Sequence, residues 1–409
     1  MRSEPREPRP ARAPRVLLSE PQYHCSVELV TKRTISNQDR AKCVLFRNMH
    51  KLLGIGLVGL FAIQASDLAL VGARIYPAPD ALPIKHGTVL IHDGRIVSVQ
   101  EGTPKTAVKA IDCNGLVITA GFWNCHVHFS EPKWESAQIL AANQLRNQVR
   151  DMFTKWGFTT VFDTGSILAN TKIIARRIEA GEFPGPMILS AGEPFTPQNA
   201  TPYYLAPLKL PELETAEQAT ALARARLDAG ADAIKIFQGA WISPDKLVPM
   251  PVDLVNAVAA VAHGRGKLLL AHPSDASHLA SAIEGGVDVL THLVENPGDL
   301  DSDTVAAIQK HGMAVIPTLQ LFSRNRNLEK LLAQLEALSE AGVPILFGTD
   351  VGFLTDYDPA REYQLMDRAG LNFPQILAAL TTAPAARYGF SQHKGKVAAG
   401  MDADLVVLG

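Results

Sequence analysis

Two histidines separated by one residue, His126 and His128, form the most suggestive chemical pattern in the chain. They close an apolar run, residues 117–126, that is typical of a β-strand. Residues two apart on a strand point to the same face, so both imidazoles can meet one metal ion. A lone histidine at a strand end is more often a hydrogen-bonded core residue, so this interpretation needs partners elsewhere in the chain.

Such partners occur in or at the end of later apolar runs, and they are Lys235, His272, His292 and Asp350. Taken singly, each has an ordinary explanation; Asp350, for example, can cap the next helix. Four of the twelve histidines nevertheless lie at predicted strand ends, and a carboxylate closes the last strand. Imidazole and carboxylate groups are the ligands that zinc takes in proteins. The sequence therefore predicts a metal centre held by His126, His128, Lys235, His272, His292 and Asp350.

Lys235 lies inside the apolar run of residues 233–237, where an ammonium group is costly unless it is paired. One interpretation is a structural ion pair with Asp350 or Asp163. The other is reaction with carbon dioxide, which converts the cation into a carbamate able to bridge two ions. Both interpretations stay open from the sequence, and they decide whether the site holds one ion or two.

The elements that must position these residues alternate regularly. Eight short apolar runs predict strands, and amphipathic stretches between most of them predict helices. The strands are expected at residues 117–126, 159–163, 187–190, 233–237, 268–272, 287–292, 314–318 and 345–350, and helices at residues 135–155, 216–229, 252–263, 277–284, 304–311 and 328–341. This rhythm matches a (β/α)8 barrel, whose active site lies where the strands end. A doubly wound open sheet is the alternative, but no Gly-rich dinucleotide fingerprint follows the first strand.

The flanking parts of the chain carry β patterns. Residues 67–76, 87–93 and 404–408 read as strands, and Asp93-Gly94 predicts a two-residue hairpin because glycine accepts a positive φ. We therefore expect an α/β fold with a TIM-like barrel over residues 119–392. A small β-sandwich domain is expected from residues 66–118 together with residues 393–409.

Composition and charge restrict the partners. A formal net charge of −2 gives no electrostatic reason to expect nucleic acid or an anionic membrane. The four cysteines lack the paired spacing of a disulfide scaffold and do not fix the redox compartment. The expected partner is a small-molecule substrate, and the oligomeric state, a homo-oligomer included, is left open.

The N-terminal part differs from the rest. Residues 1–48 are rich in arginine and proline without a hydrophobic period, which predicts a disordered extension. Met49 and Lys51 then precede an apolar run, residues 52–63, and the small residues Ala65 and Ser66, a pattern typical of a signal peptide over residues 49–65. The run is too short for a stable membrane span. We expect export to the periplasm or beyond, with translation starting at Met49; a cytoplasmic protein is the alternative.

Ordered motifs on successive strands resemble the amidohydrolase superfamily, specifically its imidazolonepropionase-like and prolidase-like metal-dependent branch. The motifs are residues 120–128 (AGFWNCHVH), 157–161 (GFTTV), 230–235 (GADAIK), 285–292 (GGVDVLTH), 316–318 (IPT), 347–350 (FGTD), 381–385 (TTAPA) and 400–405 (GMDADL). One departure is Asn124, where the family more often has Asp beside the two histidines. This departure puts the support of that pair in doubt.

The resemblance implies two divalent ions, with zinc expected. In this arrangement His126, His128 and Asp350 hold the more buried ion, His272 and His292 hold the second, and Lys235 bridges them as a carbamate. The resemblance further implies a bridging water that attacks the scissile carbonyl, and Asp350 as the group that passes its proton to the leaving group.

The function that follows is hydrolysis of a C–N bond in an amide, a peptide or a cyclic amide. A mononuclear deaminase or imidazolone-type hydrolase, with a structural Lys235, is the enzymatic alternative. A non-catalytic barrel acting as a binding protein is the other, although such a protein has no chemical need for six ligands. Substrate contacts are expected from Tyr203 and Tyr204 as oxyanion donors, from Arg324 and Arg326 as carboxylate-binding groups, and from Glu193. The substrate itself is not identified by any motif.

Overall fold

A computed structural model describes residues 68–102, 108–295 and 300–409, together with the backbone of two short parallel strands, Val27–Leu29 and Cys43–Leu45. Apart from those two backbone segments, the expected extension and signal peptide, residues 1–65, lie outside the described residues. Within the described part, no helix combines the length and the apolar character that crossing a membrane requires.

The described strands in chain order are β1 (Val27–Leu29), β2 (Cys43–Leu45), β3 (Leu68–Ile75), β4 (Ile84–His92), β5 (Arg95–Glu101), β6 (Lys109–Asp112), β7 (Val117–Ala120), β8 (Phe122–Val127), β9 (Phe158–Asp163), β10 (Met187–Ser190), β11 (Thr196–Pro197), β12 (Glu212–Leu213), β13 (Ala233–Phe237), β14 (Gly239–Ser243), β15 (Lys246–Pro249), β16 (Leu268–His272), β17 (Val289–Leu290), β18 (Ala314–Val315) and β19 (Leu405–Leu408). The α-helices are α1 (Ala142–Met152), α2 (Leu168–Glu179), α3 (Ala216–Asp228), α4 (Val252–Gly264), α5 (Leu279–Glu284), α6 (Ser302–Lys310), α7 (Leu328–Glu340), α8 (Ala360–Arg368), α9 (Phe373–Leu380) and α10 (Thr382–Arg387). Short 3-10 helices cover Pro132–Trp134, Thr154–Trp156, Tyr203–Leu205 and Ala276–His278.

One six-stranded sheet combines strands from both sides of the long α/β segment. Its order is β19-β7-β3-β4-β5, and β6 also pairs with β3. The last strand, β19, runs antiparallel to β7, with Leu405 opposite Ala120. Leu70, Val89 and Ile96 pack with Leu405 in a core of their own. Because these six strands share a single sheet, the described residues do not show the second layer of the expected sandwich.

The predicted hairpin is confirmed. Strands β4 and β5 are antiparallel, His92 lies opposite Arg95, and the two residues between them are Asp93 and Gly94. Their φ angles are 48° and 73°, so both central residues adopt the left-handed conformation of the hairpin turns that match strand twist.

The remaining long strands are parallel and form two sheets, β10-β9-β8 and β13-β16-β17-β18. Isolated bridges join the two sheets on both sides. On one side, Phe195, which follows β10, pairs with Ile236 of β13. On the other side, Ile345 pairs with Val315 of β18 and Val351 pairs with Val127 of β8. The eight predicted segments are therefore neighbours in chain order, and the α/β class with parallel strands is as expected.

Several predicted element boundaries were wrong. The run 117–126 breaks at Gly121, where an added Cβ would lie 2.1 Å from Thr159 Oγ1. Its first part joins the six-stranded sheet as β7 and its second part enters the parallel sheet as β8. Residues 345–350 do not form a strand: Ile345 forms an isolated bridge with Val315, and the Phe347 amide donates to the Ala379 carbonyl instead of to a neighbouring parallel strand. The helix expected over residues 135–155 begins only at Ala142, after a turn in which Ser136 has a φ of 59°.

Candidate metal centre

Three predicted ligands from the first and last parallel segments meet in one buried cluster. His128 Nε2 lies 2.9 Å from Asp350 Oδ1, and His126 Nε2 lies 3.3 Å from the same oxygen. The two imidazole Nε2 atoms are 3.2 Å apart. His126 is 1% exposed and Asp350 is 3% exposed. The potential ligand atoms of His126, His128 and Asp350 all lie within 4.8 Å of one another, which is close enough for one metal ion.

Hydrogen bonds on the far side of each ring fix which nitrogen is free. His126 Nδ1 lies 2.6 Å from the Thr291 carbonyl oxygen, and His128 Nδ1 lies 3.1 Å from the Gly165 carbonyl oxygen. A carbonyl oxygen only accepts, so each Nδ1 carries a hydrogen, and in the neutral imidazole the Nε2 then presents a lone pair. Burial, together with Lys235, lowers the pKa of His126 well below its ordinary value, which keeps that ring neutral.

This arrangement fits a divalent cation. Ligands about 2.0–2.1 Å from a tetrahedral ion lie roughly 3.3–3.4 Å from one another, close to the separations found here. Asp350 Oδ1 is buried and has no hydrogen-bond partner in the described part of the chain. Two lone pairs facing a buried carboxylate oxygen repel it unless a cation lies between them. His126, His128 and Asp350 are therefore suited to hold one ion.

Two further histidines lie beside this cluster. The His292 ring centroid is 4.5 Å from that of His126 and 4.5 Å from that of His272. His292 Nδ1 lies 2.7 Å from Thr318 Oγ1, and this hydroxyl donates to the Pro317 carbonyl at 2.9 Å. The hydroxyl therefore accepts from His292, and the His292 Nε2 presents its lone pair. Burial and the neighbouring imidazoles lower the pKa of His292 well below its ordinary value.

Lys235 on β13 is 3% exposed, and burial lowers its pKa to about 7 against the attraction of Asp350 and Asp163. Neither carboxylate pairs with this ammonium among the described residues. Asp350 faces the two imidazoles, and Asp163 accepts the hydroxyl hydrogens of Ser166, Thr171 and Ser190. The structural ion pair considered from the sequence is not formed there.

Asp163 ends β9 but does not cap the helix that follows. Helix α2 follows Ile167 and has no side-chain cap. Asp163 is fully buried and also accepts from the Gly165 amide at 3.2 Å. It therefore fixes the loop whose Gly165 carbonyl orients His128. Asp275, by contrast, caps a 3-10 helix through the Ser277 amide at 2.8 Å.

The backbone at the centre is strained at two non-glycine residues. Thr318 and Asp350 have φ angles of 46° and 59°, in the left-handed region that such residues rarely adopt. Asn124 bridges the first and last segments: its Nδ2 donates to Thr349 Oγ1 at 2.8 Å and its Oδ1 accepts from the Thr349 amide at 3.2 Å. Asn124 thus donates one hydrogen bond to Thr349 and accepts another from it, whereas an ionised aspartate at this position could only accept.

Gly352 allows the loop after Asp350 to lie against the His128 backbone. An added Cβ would lie 2.0 Å from the His128 carbonyl oxygen, and the φ of Gly352 is +102°. We expect Gly352→Ala to lower the free energy of unfolding by about 1–3 kcal/mol more than Gly342→Ala, because overpacking adds to the backbone strain. Gly342 also has a positive φ but has no atom within 4 Å of its added Cβ. Urea denaturation of both variants measures the difference, and equal losses would contradict the role of this close approach.

A cavity of about 600 Å³ opens over the ligand residues. All six predicted ligands line it, and so do Tyr203, Tyr204 and Arg326. Glu193 and Arg324 are not among its lining residues. Glu193 instead pairs with Arg226 at 3.1 Å, and Arg324 is exposed. Apolar walls that the sequence reasoning missed include Leu205, Leu208, Phe237, Trp241, Phe322 and Phe353.

Two polar residues of the site were also missed. Thr318 orients His292, as described above, and Glu295 lines the cavity with its Oε1 3.3 Å from His272 Nε2. The sequence carried a signal for each. Thr318 ends one of the quoted strand motifs, and Glu295 follows the predicted ligand His292 by three residues.

The fold and the site define an α/β protein with a candidate metal centre where its parallel strands end. The model of the amidohydrolase family matches residues 117–409, which is more than half of the chain. The chain belongs to the amidohydrolase family, as its motifs predicted.

Known proteins are also similar to this chain in sequence or in fold. An uncharacterised protein of Mycobacterium bovis is 27% identical over 190 residues, which are 41% of this chain and 50% of that protein. The chain thus spans about half the length of that curated relative. A solved Xaa-Pro dipeptidase with bound methionine is 20% identical, with a TM-score of 0.72 over 84% of this chain and 93% of its own. A prolidase complexed with N-methylphosphonate-L-proline is 22% identical, with a TM-score of 0.68 over 84% and 92%. These solved structures imply a TIM-like barrel.

Proposed function

We propose that this protein hydrolyses a C–N bond in an amide, a peptide or a cyclic amide, at a site that holds two divalent ions, with zinc expected. The observation that carries the proposal is the convergence of His126 Nε2, His128 Nε2 and Asp350 Oδ1, with separations of 2.9 to 3.3 Å. The neighbouring histidines, His272 and His292, supply the second set of ligands. The names of the solved relatives, a Xaa-Pro dipeptidase and a prolidase, support the choice of an amide bond.

When bound, the ions would polarise a carbonyl group and bring the pKa of water toward neutrality. The chain supplies the proton transfers. Asp350 is the carboxylate at the centre of the cluster, and it takes a proton and returns it to the leaving amine. Tyr204 lines the same cavity, and burial together with Glu295 and Asp350 raises its pKa above its ordinary value. Its hydroxyl therefore stays protonated and is suited to donate to a developing oxyanion.

Lys235 is proposed to join the site as a carbamate. Carbamate formation needs the neutral amine, since its lone pair forms the N–C bond with carbon dioxide while the nitrogen loses a proton. With a pKa of about 7, Lys235 has a large neutral fraction at neutral pH. Loss of the positive charge also removes the cost of a buried, unpaired ammonium.

We expect the protein, expressed with added zinc, to hold close to two ions per chain and Lys235→Ala to hold close to one. The remaining ion is expected at His126, His128 and Asp350, whose geometry does not depend on Lys235. Elemental analysis after gel filtration without chelators measures both values. Lys246→Ala, an exposed lysine on β15, is the control and should keep the wild-type value.

The metal count also separates the alternatives. One ion in both the wild type and Lys235→Ala would favour the mononuclear deaminase or imidazolone-type hydrolase, with the cluster of His126, His128 and Asp350 as its site. A protein that binds no ion would contradict both enzymatic proposals. Release of amine from a panel of dipeptides, N-acyl amino acids and cyclic amides then tests the bond type, and ammonia release from amino-heterocycles instead would favour the deaminase.

A further inference from the structure

Glu295 lies beside His272, in the loop that follows β17. Its Oε1 lies 3.3 Å from His272 Nε2, and it lines the same cavity as the six predicted ligands. Among the described residues, the ion pair of Glu295 is with this imidazole. The carboxylate is thus directed at the metal centre, although no motif assigned it a role.

The contact between Glu295 and His272 is not a hydrogen bond. His272 Nε2 is buried and has no hydrogen-bond partner among the described residues, even though the carboxylate oxygen is this close. A charge-assisted N–H···O bond is shorter, about 2.7–2.9 Å, and well aligned. The observed separation instead matches the roughly 3.3–3.4 Å expected between two ligands of one tetrahedral ion.

The same separation recurs in the first cluster, where it has the same explanation. His126 Nε2 and Asp350 Oδ1 are also 3.3 Å apart, and Asp350 Oδ1 likewise lacks a hydrogen-bond partner. The two pairs therefore share three features: a buried imidazole nitrogen, a carboxylate oxygen, and a spacing without a hydrogen bond. The Glu295 side chain is 26% exposed and the Asp350 side chain is 5% exposed, so Glu295 is the more open of the two to the cavity.

We propose that Glu295 is a protein ligand of the second divalent ion, together with His272 and His292. The inference rests on the proposed binuclear site and adds a ligand to it. The chain holds Glu295 in place, since the Val294 amide donates to the buried Gln334 Oε1 at 2.8 Å and Leu293 and Val294 are buried. A carboxylate from this loop gives the second ion an anionic ligand in addition to the proposed carbamate of Lys235.

The test is metal binding by Glu295→Gln, measured with Co²⁺ added to the metal-free protein and followed by its visible absorption and by competition with a chelator. We expect the tighter site to keep its affinity, and the weaker site to lose at least about 100-fold, because removal of a ligand should exceed the 10–100-fold cost of removing its hydrogen-bond partners. Glu284→Gln, an exposed carboxylate at the end of α5, is the matched control. Circular dichroism melts of the metal-free variants show whether each is folded.

The outcomes are distinguishable. If the wild type binds two ions and Glu295→Gln binds both with unchanged affinity, Glu295 is not a ligand, while the binuclear site stands. An unchanged second affinity with lost turnover also excludes Glu295 as a ligand, and it assigns the carboxylate to substrate binding instead. If the wild type binds a single ion, the binuclear proposal and this inference both fail. Glu295→Ala repeats the test should Glu295→Gln unfold.

Discussion

Replacing Asp350 with asparagine is expected to lower turnover of an amide substrate by roughly 10⁴-fold, the upper range for loss of a general acid–base group. The substitution also removes the only carboxylate of the cluster that Asp350 forms with His126 and His128. Metal content should therefore fall along with turnover. The metal-free protein, in contrast, should be at least as stable as the wild type, because its Asp350 Oδ1 is a buried acceptor without a partner among the described residues.

The combination of these readouts separates a functional role from a structural one. Steady-state kinetics, elemental analysis and thermal melts in excess chelator measure the three quantities, and Asp367→Asn on the exposed face of α8 is the control. A structural role would lower the melting temperature of the metal-free variant. Asp350→Asn with wild-type turnover would remove Asp350 from the proposed chemistry altogether.

That the six proposed ligands line one cavity could be predicted, because they lie within or at the ends of strongly apolar strands. Lys235 lies between buried residues on β13, and His272 ends the buried run of β16, so each polar side chain stood out against its surroundings. The order of these residues along the chain indicated that they lie together, since the ends of successive parallel strands meet at one face of a barrel. The hairpin at Asp93-Gly94 was predictable for a local reason, because few residue pairs accept two positive φ angles.

What could not be predicted depends on contacts between segments distant in sequence. The break of one apolar run at Gly121 follows from its approach to Thr159 and from β19, whose strand lies at the other end of the chain. The apolar period is the same on both sides of that break, so periodicity alone does not reveal it. Glu193 and Arg326 were both charged loop residues expected to contact the substrate. Glu193 instead pairs with Arg226, whereas Arg326 lines the cavity.

Asp163→Ala is expected to have the largest effect on stability. The carboxylate accepts hydrogens from Ser166 at 2.6 Å, Thr171 at 2.8 Å and Ser190 at 2.8 Å, all inside the protein. Hydrogen bonds to a charged group contribute about 1.5–3 kcal/mol each, and a buried donor left without an acceptor carries its desolvation cost. We expect the free energy of unfolding to fall by about 4 kcal/mol or more in denaturant titrations.

Asp163→Ala should also affect the metal centre, because Gly165 connects Asp163 with His128. Asp163 accepts from the Gly165 amide, and the carbonyl oxygen of Gly165 accepts from His128 Nδ1 at an N···O distance of 3.1 Å. If that loop relaxes, His128 is free to rotate and to expose the other nitrogen, so the tighter metal site should weaken by about 10–100-fold. Asp228→Ala is the control: its exposed pairing with Arg265 should cost no more than about 1 kcal/mol and leave metal affinity unchanged. A stable Asp163→Ala that binds metal like the wild type would mean that Gly165 is held by the surrounding backbone alone, and that the tautomer of His128 does not depend on the buried carboxylate.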